Sequence, residues 1–392
     1  MKIVHIDVTG PYTEGMTYQE NILPRYHKNM GHDVYMIASC KAWEKTSMVT
    51  VAPCRKTMRD GVKLIRLPYK FYVCNFVSDK IRNPRGLFSV LSMIKPDFIM
   101  LHDVSTAAVY QVKRYVETQH IPLIVDCHTD CSNSAKNWLS KNILHKIIYR
   151  RFAKVIDPVT KHFYGTLPSR VDFLRNVYAL PKEKCSLLQM GVDDELRKYA
   201  CERKNVAAIR SKYLINENDF LIVTGGKIDW FKMQTLDLMR VVAQMESKNI
   251  VLVIFGSVIK ELEEKFHNLL KMSENIHYIG WLDEKETCEL IASADLCVYP
   301  GGHSSLWELS AGLGIPLIVN YWNGGASHLN VTGNVKYLFK SDKDEIYELV
   351  EGLTSNSKSY ETMRRAAQDA KEVFSYNNIA KKCLEYVKIE IG

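Results

Sequence analysis

The chain has 392 residues, too many for one compact hydrophobic core, so two domains are expected. Its hydrophobic content of 46% and charged content of 24% are ordinary for a globular protein and exclude extensive disorder. The net charge of +8 suits an acidic partner (nucleic acid, anionic lipid or a phosphorylated small molecule) without choosing among them. In chain order, Lys2 to Val8 reads as a strand, followed by a loop from Thr9 to Met16 that holds Gly10, Pro11 and Gly15. Thr17 and Glu20 have the spacing of a capping box, opening a helix that ends near Gly31 and bends at Pro24. Asp33 to Ala38 is the second strand, and Cys40 to Arg66 is irregular or a hairpin. Helices at 89–94, 107–119 and 140–151 alternate with strands at 97–101, 122–127 and 155–159. The polar stretch Asp194 to Asn218 reads as a linker. The pattern then restarts, with strands at 220–224, 250–255, 276–279, 296–299 and 317–319, and helices to the end of the chain. Apolar, uninterrupted strands alternating with helices give an α/β protein of two doubly wound Rossmann-like domains facing a central cleft.

The expected domains are 1–195 and 196–374, with a C-terminal helix at about 375–392 returning to the first. No apolar run approaches the roughly 20 residues needed to cross a bilayer. The strand-like start is too short for a signal-peptide core, so a cytoplasmic protein is expected. Ten cysteines lie scattered without paired spacings, which fits reduced thiols rather than a zinc site. No folded nucleic-acid recognition module is visible, so no nucleic-acid partner is expected.

The chemistry concentrates at strand ends. Tyr299 to Asn320 places Gly301-Gly302, His303 and Ser304 after a strand, with Ser305 and Glu308 at capping-box spacing before Leu306 and the next apolar residues. A glycine loop feeding a helix N-terminus is an anion-binding arrangement. Glu308 reads equally as the last member of that box or as a ligand contact. Gly225-Gly226-Lys227 with Lys232 sets two ammonium groups on a glycine turn, which suits a diphosphate; both lysines also fit a solvated surface. His128 closes the strand 122–127, where it can orient a substrate hydroxyl or bond a neighbouring carboxylate. His102-Asp103 ends the strand before it with the same two readings. From 132 to 154, Lys136, Lys141, Lys146, Arg150, Arg151 and Lys154 alternate with apolar residues. That pattern fits peripheral contact with an anionic membrane, and equally a core-facing helix with a basic solvent side.

Four segments, in order, resemble the GT-B glycosyltransferases of the family-4 type, retaining enzymes that use nucleotide sugars. Lys2-Ile3-Val4-His5-Ile6 through Gly15 to Gly31-His32-Asp33-Val34 is similar to the family's first strand, glycine loop and second strand. Leu187 to Asp193 is similar to its hinge approach, and Gly226-Lys227 with Lys232 to its basic diphosphate motif, with Lys227 in the place of an arginine. Trp307 to Pro316 is similar to its nucleotide-binding helix. The resemblance implies that Lys227 and Lys232 hold the donor diphosphate, Glu308 the ribose, and that His128 lies near the reacting sugar. Gly15 would let the first loop approach phosphate or acceptor. It further implies no bound metal and no cofactor besides the nucleotide-sugar substrate. The family's first motif glutamate is here Pro300, and His303 is the candidate substitute.

The function expected is transfer of a sugar to a hydroxyl of a glycan or lipid-linked acceptor in surface polysaccharide synthesis. The alternatives are a sugar-nucleotide epimerase of the same architecture and a non-catalytic sugar-nucleotide-binding subunit.

Overall fold

The computed structural model describes residues 1–44, 47–245, 249–322 and 325–388. The chain forms two compact units, Met1–Gln189 with Ile379–Gly392, and Met190–Asn378. Of the expected C-terminal helix, residues 389–392 lie outside the described residues. The described part forms helices Tyr376–Cys383 and Glu385–Lys388.

In the first unit the strands are β1 (Lys2–Asp7), β2 (Asp33–Ser39), β3 (Lys41–Glu44), β4 (Ser47–Thr50), β5 (Arg55–Thr57), β6 (Lys63–Leu67), β7 (Phe98–His102), β8 (Leu123–Cys127), β9 (His162–Gly165) and β10 (Cys185–Leu187). Eight of them make one sheet in the order β10-β9-β8-β7-β1-β2-β6-β5, while β3 and β4 pair as a separate hairpin. Ile3 pairs in parallel with Val34 on one side and Phe98 on the other. Within the sheet only β5 runs antiparallel to its neighbour. Every residue of β7 and β8 is buried, as a sheet covered by helices on both faces requires. The order reverses between β1 and β7, and ligands bind beyond strand C-termini at such a switch point.

The second unit holds β11 (Phe220–Ile228), β12 (Ile250–Val258), β13 (Ile276–Tyr278), β14 (Leu296–Tyr299), β15 (Leu317–Asn320) and β16 (Val335–Leu338). They form an all-parallel sheet in the order β13-β12-β11-β14-β15-β16, switching between β11 and β14.

Three local expectations are corrected. Thr17 does not cap the first helix, which runs Gln19–Asn29 from an extended Tyr18 with no side-chain cap. Residues 155–159 are not a strand. They finish the helix Arg150–Ile156 and make one 3-10 turn, Asp157–Val159, where Pro158 fits because a first-turn residue needs no N–H. The stretch 194–218 is not a bare linker. Asp193 accepts from the N–H groups of Glu195 (3.0 Å) and Leu196 (3.4 Å), starting helix Asp194–Ala200, and helix Arg203–Lys212 follows. That second helix has no fully buried residue, so its composition reads as a linker.

Candidate functional site

The second unit brings several of the expected residues together at its switch point. β11 continues through the glycine pair to Ile228, pairing Gly226 with Gly256 of β12. Gly226 has φ +101° and Gly256 φ +110°, and a Cβ on Gly256 would lie 2.0 Å from the Gly226 carbonyl oxygen. Only glycine fits there. After β11 a turn closes with the Lys232 N–H donating to the Asp229 carbonyl (2.9 Å). The loop after β14 packs on this turn: the Gly302 N–H donates to the Phe231 carbonyl at 2.7 Å, and a Cβ on Gly301 would meet Lys232 Cα at 2.6 Å. Lys232 is thereby held over Gly226, where a Cβ would lie 3.3 Å from Nζ and 3.4 Å from Leu306 Cδ1. Burial lowers the Lys232 pKa, against the pull of Asp229. Around it is a narrow cavity lined by Thr224, Gly225, Thr235, Pro300, Gly302, Ser304 and Trp307, among others. Lys227 is exposed on β11 and does not line this cavity.

The capping box at Ser305 is not formed. Ser305 is exposed and helical, at φ −59°, and its side chain caps nothing; the Leu306 N–H instead donates to Ser304 Oγ at 3.4 Å. Glu308 is fully buried. Its carboxylate accepts from His303 Nε2 at 2.9 and 3.1 Å and from His328 Nε2 at 2.9 Å. Burial pushes its pKa up, but these two imidazoles overcome that and hold the carboxyl well below its usual range. His303 stacks on Trp322 (centroids 6.1 Å, 16°) and meets the edge of Trp307 (5.1 Å, 73°). His328 Nδ1 and Trp307 Nε1 are buried without a hydrogen-bond partner, polar atoms that a ligand or water can satisfy. The sequence reading missed Trp307, Trp322 and His328. The last sits in a short turn, Ser327–Leu329, with no pattern to single it out.

The first unit holds the remaining candidates. His128 follows β8, and its Nε2 lies 3.2 Å from Asp126 Oδ2, off the line of a hydrogen bond. The Asn133 side chain holds the His128 carbonyl at 2.6 Å. Burial lowers the His128 pKa, yet Asp126 raises it to about 9 overall. The same Asp126 oxygen accepts from His102 Nδ1 at 2.8 Å. Among the described residues this trio alone has metal-ligand spacing, with one donor atom from each within 4.8 Å. Those atoms face one another as ion-pair and hydrogen-bond partners. Behind them lie His5 and His27, both fully buried, which the sequence reading passed over as strand and helix residues. Gly15 has φ +84° in an exposed turn, and a Cβ there would meet nothing within 4 Å. The turn requires glycine for its conformation rather than for a close approach.

The basic stretch forms a π-helix, Ser140–Tyr149, continuing into Arg150–Ile156. Its six cations are all exposed, as are Trp138, Leu139 and Ile147, and no acidic residue occurs between 131 and 156. The Tyr149 hydroxyl donates to the Lys80 carbonyl at 3.0 Å, which sets this helix beside the segment that carries exposed Phe71, Val73 and Phe76.

Residues 205–371 match the sequence model of a family described as glycosyl transferases group 1. No curated protein matches the chain in sequence. Solved structures match it in fold. Sucrose-phosphate synthase from Thermosynechococcus elongatus aligns with TM-score 0.67 at 14% identity, covering 100% of this chain and 99% of that one. Anabaena HepE in complex with UDP gives 0.69 at 14%, covering 99% and 100%. UDP-GlcNAc 2-epimerase from Neisseria meningitidis, bound to UDP-GlcNAc, gives 0.63 at 15%, covering 100% of both. At these identities the likeness is one of fold, the GT-B architecture of two Rossmann-like units.

Proposed function

We propose that this chain, a group 1 glycosyltransferase by its residues 205–371, moves a sugar from a nucleotide-sugar donor to a hydroxyl of a glycan or lipid-linked acceptor, with retention at the anomeric carbon. The observation that carries the reading is Lys232: a largely buried ammonium fixed over Gly226 beside Gly302 and Ser304, at the switch point of the second sheet. A cation so placed stabilises the charge that builds on a departing diphosphate as the anomeric carbon becomes oxocarbenium-like. Lys227 adds a second, more solvated charge. The backbone of Ser304, Ser305 and Leu306 faces the same anion in this reading, though the helix it opens, Leu306–Gly312, has seven residues and a correspondingly small dipole. Glu308, kept ionised by His303 and His328, accepts from ribose hydroxyls. In the first unit His128 orients the incoming hydroxyl. These cations do the work for which other transferases use a metal, so transfer is metal-independent in this proposal.

HepE is named as binding UDP, which makes UDP the first ligand to try. Wild-type protein should be stabilised by UDP and should release free nucleotide from a donor when acceptor is present. Lys232→Ala should lower that turnover at least about a hundredfold, the loss of one preorganised donor of about 3 kcal/mol. Near-wild-type turnover in the variant removes the phosphate site from Lys232.

We place the activity at the cytoplasmic face of a membrane, in surface polysaccharide synthesis. The support is the exposed Trp138, Leu139 and Ile147 among six cations, beside Phe71 and Phe76, a surface suited to anionic lipid. A second reading, isomerisation of a nucleotide sugar, has the epimerase likeness in fold behind it. The family match of residues 205–371 favours transfer. Conversion of a donor with no acceptor present is the result that reverses the preference.

A further inference from the structure

We propose that His27, His5 and His102 form a hydrogen-bond wire that holds one proton more than three neutral imidazoles carry, and that this wire, ending on Asp126, positions His128 for the transfer reaction. The positioning role rests on the glycosyl-transfer reading above; the proton count does not.

The count follows from geometry. At one end His27 Nε2 lies 3.0 Å from the Ala380 carbonyl oxygen, which can only accept. His27 Nδ1 meets His5 Nε2 at 2.9 Å, and His5 Nδ1 meets His102 Nε2 at 3.0 Å. At the other end His102 Nδ1 lies 2.8 Å from Asp126 Oδ2, which as a carboxylate also only accepts. Four contacts need four protons, and three neutral imidazoles supply three. One ring must therefore be an imidazolium. Any neutral arrangement leaves two lone pairs facing each other inside the protein, a cost of a buried unmade bond.

Its place is His102. That ring touches the buried Asp126, and opposite charges at contact distance in a low-dielectric interior belong together. His5 and His27 have no carboxylate in contact, and burial lowers both, His27 to about 4, while Asp126 raises His102 against its own burial. A protonated Asp126 would satisfy the same contact, but His128 sits 3.2 Å from the same oxygen and keeps it ionised. The other charged or titratable groups acting on the array are Asp7, Glu20 and His32, with Arg170 and Cys383 towards Asp126 and His128. Once the wire fixes the tautomer of every ring, Asp126 is held from behind by one imidazolium. His128 then turns Nε2 to that carboxylate and keeps Nδ1 for a substrate group. His5, His27 and His102 are positioning residues in this scheme; none needs to touch substrate.

The test is the two-bond nitrogen–proton NMR spectrum of the full chain with 15N-labelled histidine at pH 7.5. His5 and His27 should appear as neutral Nε2–H rings and His102 as doubly protonated. A neutral His102, or a Nδ1–H tautomer at His5 or His27, overturns the wire. So does a shift of the His102 and His128 signals on adding stoichiometric Zn²⁺, since a metal would take the same nitrogens. For the positioning role, His27→Phe should lower kcat about tenfold with the donor KM unchanged. His27→Gln, which can still accept from His5 and donate to Ala380, should recover most of it. Equal losses in the two variants overturn that role. The predicted spectrum with no turnover of any nucleotide sugar defeats the glycosyl-transfer reading and leaves the wire; turnover with a neutral His102 does the reverse.

Discussion

Glu308 shows how far a single residue can be read. Its spacing from Ser305 offered a helix cap or a ligand contact, and the structure gives a third arrangement, an anion clamped by two imidazoles. Nothing local announces His328, because the turn that delivers it comes after β15, twenty residues on. Glu308→Gln replaces a charged acceptor by an amide that serves one histidine less well. Loss of a buried charged hydrogen bond costs about 2 kcal/mol or more, so the variant should melt earlier. If the carboxylate also binds ribose, calorimetry should show UDP affinity falling by tenfold or more; unchanged affinity with a lowered Tm makes Glu308 purely structural. Lys232 and Lys227 looked alike in sequence. They separate only in space, because the turn at Asp229 carries one inward and leaves the other on the strand.

At the scale of elements, the strands that carry the site were legible where they are buried on both faces, as in β8 and β14. They were misread where the local signal was ambiguous. Val155-Ile156 has β-branched residues, yet it completes a helix whose register is set by Phe152 and Ala153 packing into the core. The strand β9 just beyond it is only four residues long and begins at His162, so its sequence does not signal a strand. The β11–β12 pair was half seen: the glycine turn after β11 is in fact ladder, and its partner is a second glycine. Gly256→Ala should destabilise the second unit by about 3 kcal/mol or more, since the methyl group would overlap a carbonyl in an unfavourable backbone region. Urea denaturation checks this, and a loss below about 1 kcal/mol means that the ladder can shift to make room.

Over the whole molecule, buried histidines give stability a pH dependence of known sign. His27, His145 and His162 are each lowered from 6.5 to about 4, chiefly by burial. Between those values the unfolded chain takes up protons that the folded chain refuses, so stability falls as pH drops from 6.5 towards 4. Fully buried His27 alone accounts for about 2 kcal/mol between pH 7 and 5. Asp7, raised to about 6, opposes the trend, as do His102 and His128, which Asp126 raises, while His5, lowered by burial, adds to it. The urea midpoint should be clearly lower at pH 5 than at pH 7; equal midpoints contradict the buried neutral rings. Above neutrality the sign reverses for His128, whose contribution is lost as pH rises through about 9. At the basic surface, sedimentation with phosphatidylglycerol vesicles should carry the protein down at low salt and much less at 0.5 M salt, about 4 Å of Debye screening. Trp138→Ala combined with Lys141→Glu and Lys146→Glu should abolish it; unaltered sedimentation locates the lipid contact elsewhere. The return of the chain to the first unit has a further consequence. The carbonyl of Ala380 ends the histidine array, Lys382 donates to the Leu187 carbonyl at 2.9 Å, and the Tyr386 hydroxyl bonds His162 at 2.9 Å. A ribosome that has made residues 1–189 has made the whole sheet of that unit but none of these partners. The first unit therefore cannot complete its native packing, with His27 Nε2 still lacking its carbonyl partner, until residues 379–388 have followed the second unit off the ribosome.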